Sequence, residues 1–295
     1  MYTQSIHEVV KYKRSKNLRG KARHFALNIV SKWGNITGRT ARDLSHPRIH
    51  FVYLHYLFPE EVQNFRNLLT KLAETHTFIS YNEAVKMLVA NKPIDKPYLS
   101  FSSDDGFKNN LKMAEILEEF GAKACFFVCS DIVGETDFET CRLFSASRLN
   151  YPPMEFMDWD DLKQLQKNGH EIGCHTRWHP NLAECDPSKL YDQIGGAKAI
   201  IEDKIGPVKH FAWPYGLFQH FSDTARRVVF KAGFASCASA ERGAHVVHAA
   251  NIHHEDICIR RDQLIANWPV SHNLYFLARS ANAATPENVK YDFDK

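Results

Sequence analysis

Long apolar runs are missing from this 295-residue chain. No stretch approaches the ~18–20 apolar residues of a membrane-spanning helix. The first residues also lack the short apolar core and small-residue cleavage site of a secretory signal. A cytoplasmic protein is the expectation, with peripheral contact at the inner membrane surface as the alternative. Charge of one sign is scarce too: 37 basic residues against 34 acidic ones leave +3, which excludes nucleic acid as a partner of the whole molecule. The seven cysteines are an odd number and contain no CxxC pair. That excludes a disulfide framework and a thiolate zinc cluster, and predicts reduced, mostly buried thiols. Internal repeats and low-complexity tracts are absent.

What is present is an ordinary globular composition, 44% hydrophobic and 24% charged, with ample material for a core. Charge is unevenly placed. The first fifty residues hold eleven Lys and Arg against Glu8 and Asp43 alone. Residues 1–47 therefore read as a basic N-terminal arm with one helix, over 21–33, where Phe25, Ile29 and Trp33 recur four residues apart. As an appendage it would dock on an anionic membrane surface or a glycan-assembly partner, or pack on the main domain.

From Arg48 onward, short β-rich runs alternate with helical stretches, which predicts parallel strands joined by helices in one α/β domain over 48–295. Strands are expected at 49–54, 77–79, 98–102, 124–129, 170–174, 209–213, 234–237 and, last, 257–259. Helices are expected from Pro59, at 81–89, 109–120, 160–168, 187–202 and 222–232. Residues 134–158, with Pro152 and Pro153, read as a long irregular segment.

Three chemistry-bearing clusters follow predicted strands, where α/β proteins place their sites. The first is Ser102-Ser103-Asp104-Asp105-Gly106, whose adjacent carboxylates diverge at a turn, so that one can bind a metal while the other faces a substrate. The second is His175-Thr176-Arg177-Trp178-His179-Pro180. Its two histidines, sharing a helical face or converging from a turn, complete with a carboxylate a three-ligand site with open positions. The third, Phe211-Ala212-Trp213-Pro214-Tyr215-Gly216, offers an aromatic wall and backbone N–H groups. His55 ends the first strand on the same rim, and His253 and His254 compete with it for a catalytic role.

Together these segments, over roughly 51–264, resemble the polysaccharide deacetylases, the family of the NodB-homology domain (carbohydrate esterase family 4). Asp104-Asp105-Gly106 is similar to the family's aspartate-pair motif. The run from Trp159-Asp160-Asp161-Leu162 to His179-Pro180-Asn181-Leu182 is similar to its second motif. Tyr53-Leu54-His55 and Trp213-Pro214-Tyr215-Gly216 most resemble the branch that deacetylates poly-N-acetylglucosamine. The resemblance implies a distorted (β/α) barrel and a metal-dependent hydrolase that removes N-acetyl or O-acetyl groups from sugars.

By position it implies Asp104 as general base, Asp105, His175 and His179 as ligands of a divalent metal, Tyr215 as oxyanion N–H donor and His55 as general acid. The metal would be Zn²⁺, with Co²⁺, Ni²⁺, Mn²⁺ or Fe²⁺ as alternatives. Trp178, Trp213 and Pro214 would bind the sugar. The chain departs from the pattern at Ser103, where a Phe is usual, and at Ala212 and Trp213, where many members carry Arg and Pro. That Arg would ordinarily hold the base. Capsule, lipopolysaccharide or exopolysaccharide synthesis, with an N-acetylated carbohydrate on a polymer or a nucleotide or lipid carrier, is the expected setting. An allantoinase-like cyclic-amide hydrolase, favoured by a small enclosed pocket, and an inactive glycan-binding scaffold stand as alternatives.

Overall fold

The computed structural model describes residues 1–14, 27, 31, 34, 37–249 and 252–293. The apolar positions of the helix expected over 21–33, Phe25, Ile29 and Trp33, lie outside the described residues.

The strands are β1 (Arg48–Leu54), β2 (Thr77–Phe78), β3 (Pro97–Ser103), β4 (Ala124–Val128), β5 (Glu171–Cys174), β6 (His210–Ala212), β7 (Ser236–Ala238), β8 (Cys258–Ile259) and β9 (Arg261–Gln263). All pair in parallel in the order β8-β7-β6-β5-β4-β3-β1-β9, with β2 beside β3. The two ends of that order, β8 and β9, are separated in the chain by Arg260 alone. The sheet therefore curls into a nearly closed barrel whose gap the backbone itself bridges, and every strand's C-terminal end opens on one rim. This is the barrel expected from the sequence, with β9 an additional strand.

Helices cover the outside: α1 (Ile6–Arg14), α2 (Arg39–Leu44), α3 (Val62–Ala73), α4 (Tyr81–Val89), α5 (Asn110–Glu119), α6 (Phe138–Phe144), α7 (Trp159–Lys167), α8 (Pro187–Tyr191), α9 (Ala197–Ile205), α10 (Asp223–Lys231) and α11 (Val270–Asn282). Phe65, Leu68, Leu69 and Leu72 of α3 share one helical face and are 0% exposed. Burial of such a side chain contributes about 1.5–3 kcal/mol. Asp158 caps α7 by accepting from the N–H groups of Asp160 and Asp161, so the helix starts where an acid can satisfy its free donors.

Two expected elements change. The segment 134–158 is not irregular throughout: α6, capped by Asp137, runs into a π-helical turn at Ser145–Leu149. The helix expected at 187–202 is interrupted by a π-helical turn at Asp192–Gly196. The first residues also depart from an appendage. Ile6 and Val9 of α1 are buried among Phe58, Phe107, Tyr151, Met154 and Phe156, so this part of the arm belongs to the barrel's packing.

All seven cysteines are free, and six are buried. Among the described residues no helix is long and apolar enough to cross a membrane.

Candidate active site

The rim of the barrel is built from turns that immediately follow strands. Four of its non-glycine residues, Asp105 (φ 73°), Thr176 (φ 70°), His179 (φ 52°) and Tyr215 (φ 62°), lie in the left-handed region. Such backbone costs energy and persists only where surrounding structure over-determines it, most often at functional sites. Gly106 (φ 76°) completes the turn after β3 and lies against Val128, where a Cβ would come within 3.2 Å of that side chain. Gly216 (φ 67°) lets the turn after β6 pass so close to Ala240 that a Cβ would stand 2.6 Å from its backbone nitrogen.

Asp105, His175 and His179 each offer a donor atom within 4.8 Å of the other two, and all three are buried. The histidines converge from the turn after β5, the second of the two arrangements that their spacing allows. Nδ1–H of His175 donates to the Ala212 carbonyl at 2.7 Å, which leaves its Nε2 free for a ligand. Nε2 of His175 and Nε2 of His179 are each 3.6 Å from Oδ1 of Asp105. That is too long for a hydrogen bond, but it is the spacing of ligands ~2.0–2.2 Å from a common ion. Burial lowers the pKa of both histidines, so they are neutral imidazoles, as ligands must be. Burial, then the neighbouring Asp104 charge, pushes Asp105 up to about 8, a cost that a bound cation would reverse. The donor set thus fits a divalent metal.

Asp104 lies beside this triad. Burial opposes its charge, but Arg261, then His175, outweigh burial and hold the carboxyl below its ordinary value. Arg261 Nη1 and Nη2 donate to Oδ1 and Oδ2 of Asp104 at 2.7 and 2.8 Å. The guanidinium is fully buried, and its remaining bonds go to the Ser239 carbonyl at 2.8 Å and Ser102 Oγ at 3.1 Å. An Arg from β9 thus makes the contact expected of the Arg whose place Ala212, at the end of β6, takes. The sequence reading missed Arg261; its signal was an Arg-Arg-Asp run directly after a buried apolar strand.

His55 follows β1 in the same cavity. The Gln263 side-chain amide is 3.1 Å from its Nδ1, so with the amide nitrogen donating, the imidazole proton sits on Nε2. Burial pulls His55 down to about 4, Asp104 partly opposing, so the resting ring is neutral. His253 and His254 do not compete with it. Both are exposed, His253 in a separate depression with Asp223 and Arg226 and His254 against the Phe230 ring.

Tyr215 is 44% exposed, packs its ring edge-on to His179 at 4.7 Å, and donates its hydroxyl to the Arg148 carbonyl at 3.2 Å. Its backbone N–H meets no backbone acceptor among the described residues. The cavity encloses about 290 Å³, with Asp104, Asp105, His175, His179 and His55 at its base and Tyr53, Tyr151 and Tyr215 as aromatic walls.

Three expected sugar-binding residues do not line it. Trp213 is 0% exposed, stacked on Phe221 at 4.3 Å, and donates Nε1–H to the Leu217 carbonyl. Pro214 is buried beside it. Trp178 turns to Phe144, ring to ring at 5.6 Å, and backs the cluster under α1. These aromatics fill the core behind the turns because apolar area is worth more there than at a wet rim. Lys13 of α1, by contrast, enters the cavity wall although the sequence offered no reason to place it there.

Residues 91–236 match the family model described as polysaccharide deacetylase. A chitooligosaccharide deacetylase of Azorhizobium caulinodans is 32% identical over 123 residues, 40% of this chain and 47% of that protein. The chain spans about half or less of the length of the curated relatives it matches. Among solved structures, IcaB from Ammonifex degensii superposes with a TM-score of 0.62 at 17% identity, covering 80% of this chain and 97% of that one. The Streptococcus pyogenes deacetylase PplD in complex with acetate superposes with a TM-score of 0.60 at 18% identity, covering 80% and 98%. At these identities the structural likeness concerns the fold.

Proposed function

The domain spanning residues 91–236 belongs to the polysaccharide deacetylase family, and from that premise we propose that the chain is a metal-dependent deacetylase acting on the N-acetyl group of an amino sugar. The sugar is part of a polysaccharide or of its nucleotide- or lipid-linked precursor. The observation that carries this reading is the convergence of Asp105, His175 and His179 on one point with Asp104 held ionised alongside.

Asp105, His175 and His179 would hold a divalent ion, most simply Zn²⁺, which would supply Lewis-acid activation of the amide carbonyl and of a water. Asp104 takes the proton of the attacking water, and Arg261 keeps that carboxylate charged and aimed. The backbone N–H of Tyr215 donates to the oxyanion as the water oxygen adds to the acetyl carbon. His55 is neutral at rest. The negative charge of the tetrahedral adduct raises its basicity, so the ring takes up a proton from solvent and gives it to the departing amine as the C–N bond breaks and acetate leaves, while Asp104 returns the water's proton to solvent.

The test pairs elemental analysis with amine release from N-acetylated sugars, on wild type and on the double variant His175→Ala with His179→Ala. Near-stoichiometric metal and amine release, both lost in the double variant, are expected. Failure to bind metal under any loading condition would overturn the mechanism and leave a glycan-binding scaffold.

The withdrawal of Trp178 and Trp213 from a cavity of about 290 Å³ favours one second reading, hydrolysis of a small cyclic amide. Allantoin, with ring opening followed as new carboxylate by proton release, decides between them. We assign the remaining basic residues of the arm, over 15–47, to an anionic membrane surface or a glycan-assembly partner, which sedimentation with anionic vesicles tests.

A further inference from the structure

We propose that Lys13 sets the specificity of the cavity, selecting sugars that carry an anionic substituent, phosphate or carboxylate, on the ring that bears the acetamido group. The inference rests on the deacetylase reading and names the substrate class within it.

The first observation is that α1 is a built part of the site. Ile6 and Val9 are 4% and 1% exposed against the aromatic cluster beneath them. The Thr3 N–H donates to the Pro153 carbonyl at 2.9 Å, and Ser5 Oγ donates to Glu60 Oε1 at 2.5 Å. So anchored, the last turn of α1 reaches the rim, and Lys13 Nζ stands 3.5 Å from the centroid of the Tyr151 ring. Tyr151 faces His55 in turn, ring to ring at 6.1 Å. A cation over an aromatic face is held in place by the ring's charge distribution, so the ammonium is pre-positioned.

The second observation is charge. Lys13 forms no ion pair with any described residue, and the cavity's carboxylates already have other partners. Arg261 neutralises Asp104, and Asp105 belongs to the metal ligand set. With a divalent ion bound, the centre holds a surplus of two positive charges, Lys13 and Arg261 plus the ion against two carboxylates. A neutral sugar filling the cavity would strip water from Lys13 and give it nothing, whereas a phosphate or carboxylate would satisfy it. Arg148, exposed beside Tyr215, adds a second positive group at the rim.

The third observation is size. At about 290 Å³ the cavity is at or below the ~300–1,000 Å³ of sites that enclose drug-sized ligands. It suits one sugar ring, whose own substituent then lies within reach of Lys13.

The experiment measures binding to the metal-loaded, full-length protein by calorimetry. The ligands are glucose 1-phosphate, methyl glucuronide and methyl glucoside, none of which has an amide to hydrolyse. Wild type is expected to bind the two anionic sugars about tenfold more tightly than the neutral one. That preference should persist in Lys13→Arg and disappear in Lys13→Gln. The ratio of kcat/KM for N-acetylglucosamine 1-phosphate over methyl N-acetylglucosaminide should fall in parallel. An undiminished preference in Lys13→Gln, or no preference in wild type, overturns the proposal. If the metal-loaded enzyme hydrolyses neither N-acetylated sugar, the deacetylase reading fails while calorimetry still decides the role of Lys13.

Discussion

Arg261 holds Asp104 through two parallel hydrogen bonds, Nη1 to Oδ1 at 2.7 Å and Nη2 to Oδ2 at 2.8 Å, between residues 157 positions apart in the chain. The pair joins β9 to the turn after β3, so the alignment of the proposed base depends on closure of the barrel. A buried pair broken on one side leaves a charge that neither water nor protein compensates.

Arg261→Met should therefore cost about 3–5 kcal/mol of stability and about 10²-fold in turnover through misplacement of the carboxylate. Combining it with Asp104→Leu should restore most of the stability and none of the activity. Urea unfolding and amine release measure the two effects. Recovery of turnover in the double variant would exclude Asp104 as the base.

Gln263 acts on His55 and touches no reacting atom, which makes it a positioning residue. Gln263→Leu should lower kcat about tenfold with KM and metal content unchanged, since it frees the ring without removing it. His55→Phe should cost ~10²–10⁴-fold. Steady-state kinetics on metal-loaded enzyme separates these outcomes, and a change confined to KM would contradict the assignment.

Helix α1 is more than a solvated arm. Ile6→Ala should destabilise the protein by about 2–4 kcal/mol, the usual cost of emptying a buried aliphatic site. Deletion of residues 1–14 should lower the melting temperature further by exposing Phe107 and Tyr151. Calorimetric melting checks both, and an unchanged melting temperature on deletion would return α1 to the status of an appendage.

Acid should unfold this protein early. Burial lowers His76 and His245 to about 3, with Arg48 second for His76, whereas an unfolded histidine titrates near 6.5. Because the folded values are depressed, the unfolded chain binds more protons below pH 6.5. Stability is complete above that pH and falls from 6.5 down to about 3, by up to about 1.4 kcal/mol per pH unit for each histidine. Urea midpoints of the metal-free protein should fall only slightly between pH 7.5 and 6.5, where the unfolded histidines begin to protonate, and drop clearly at pH 5. A shallower drop is expected in His76→Asn, and a flat profile in wild type would contradict the account.

Sequence alone determined the parts of this protein whose physics is local. The helix Tyr81–Val89 has the bounds read from the chain, and Ser80 caps it by accepting from the Glu83 N–H. Asp104, Asp105, His175 and His179 were legible because strand-to-turn junctions are short, so neighbours in sequence remain neighbours in the site. Tertiary structure decided what depends on distant segments meeting. Arg261 reaches Asp104 only because β8 and β9 stand at opposite ends of one sheet that curls shut. Trp213 and Pro214 belong to the core and not to a sugar groove because Phe221 and Tyr291 supply apolar partners behind the turn. Lys13 reaches the cavity because Ile6 and Val9 find a cluster gathered from Phe58, Phe107 and residues 129–156. Periodicity shows that a residue has an apolar or a polar face; which partner that face meets is set by packing across the whole barrel, where burial free energy is summed over elements far apart in the chain.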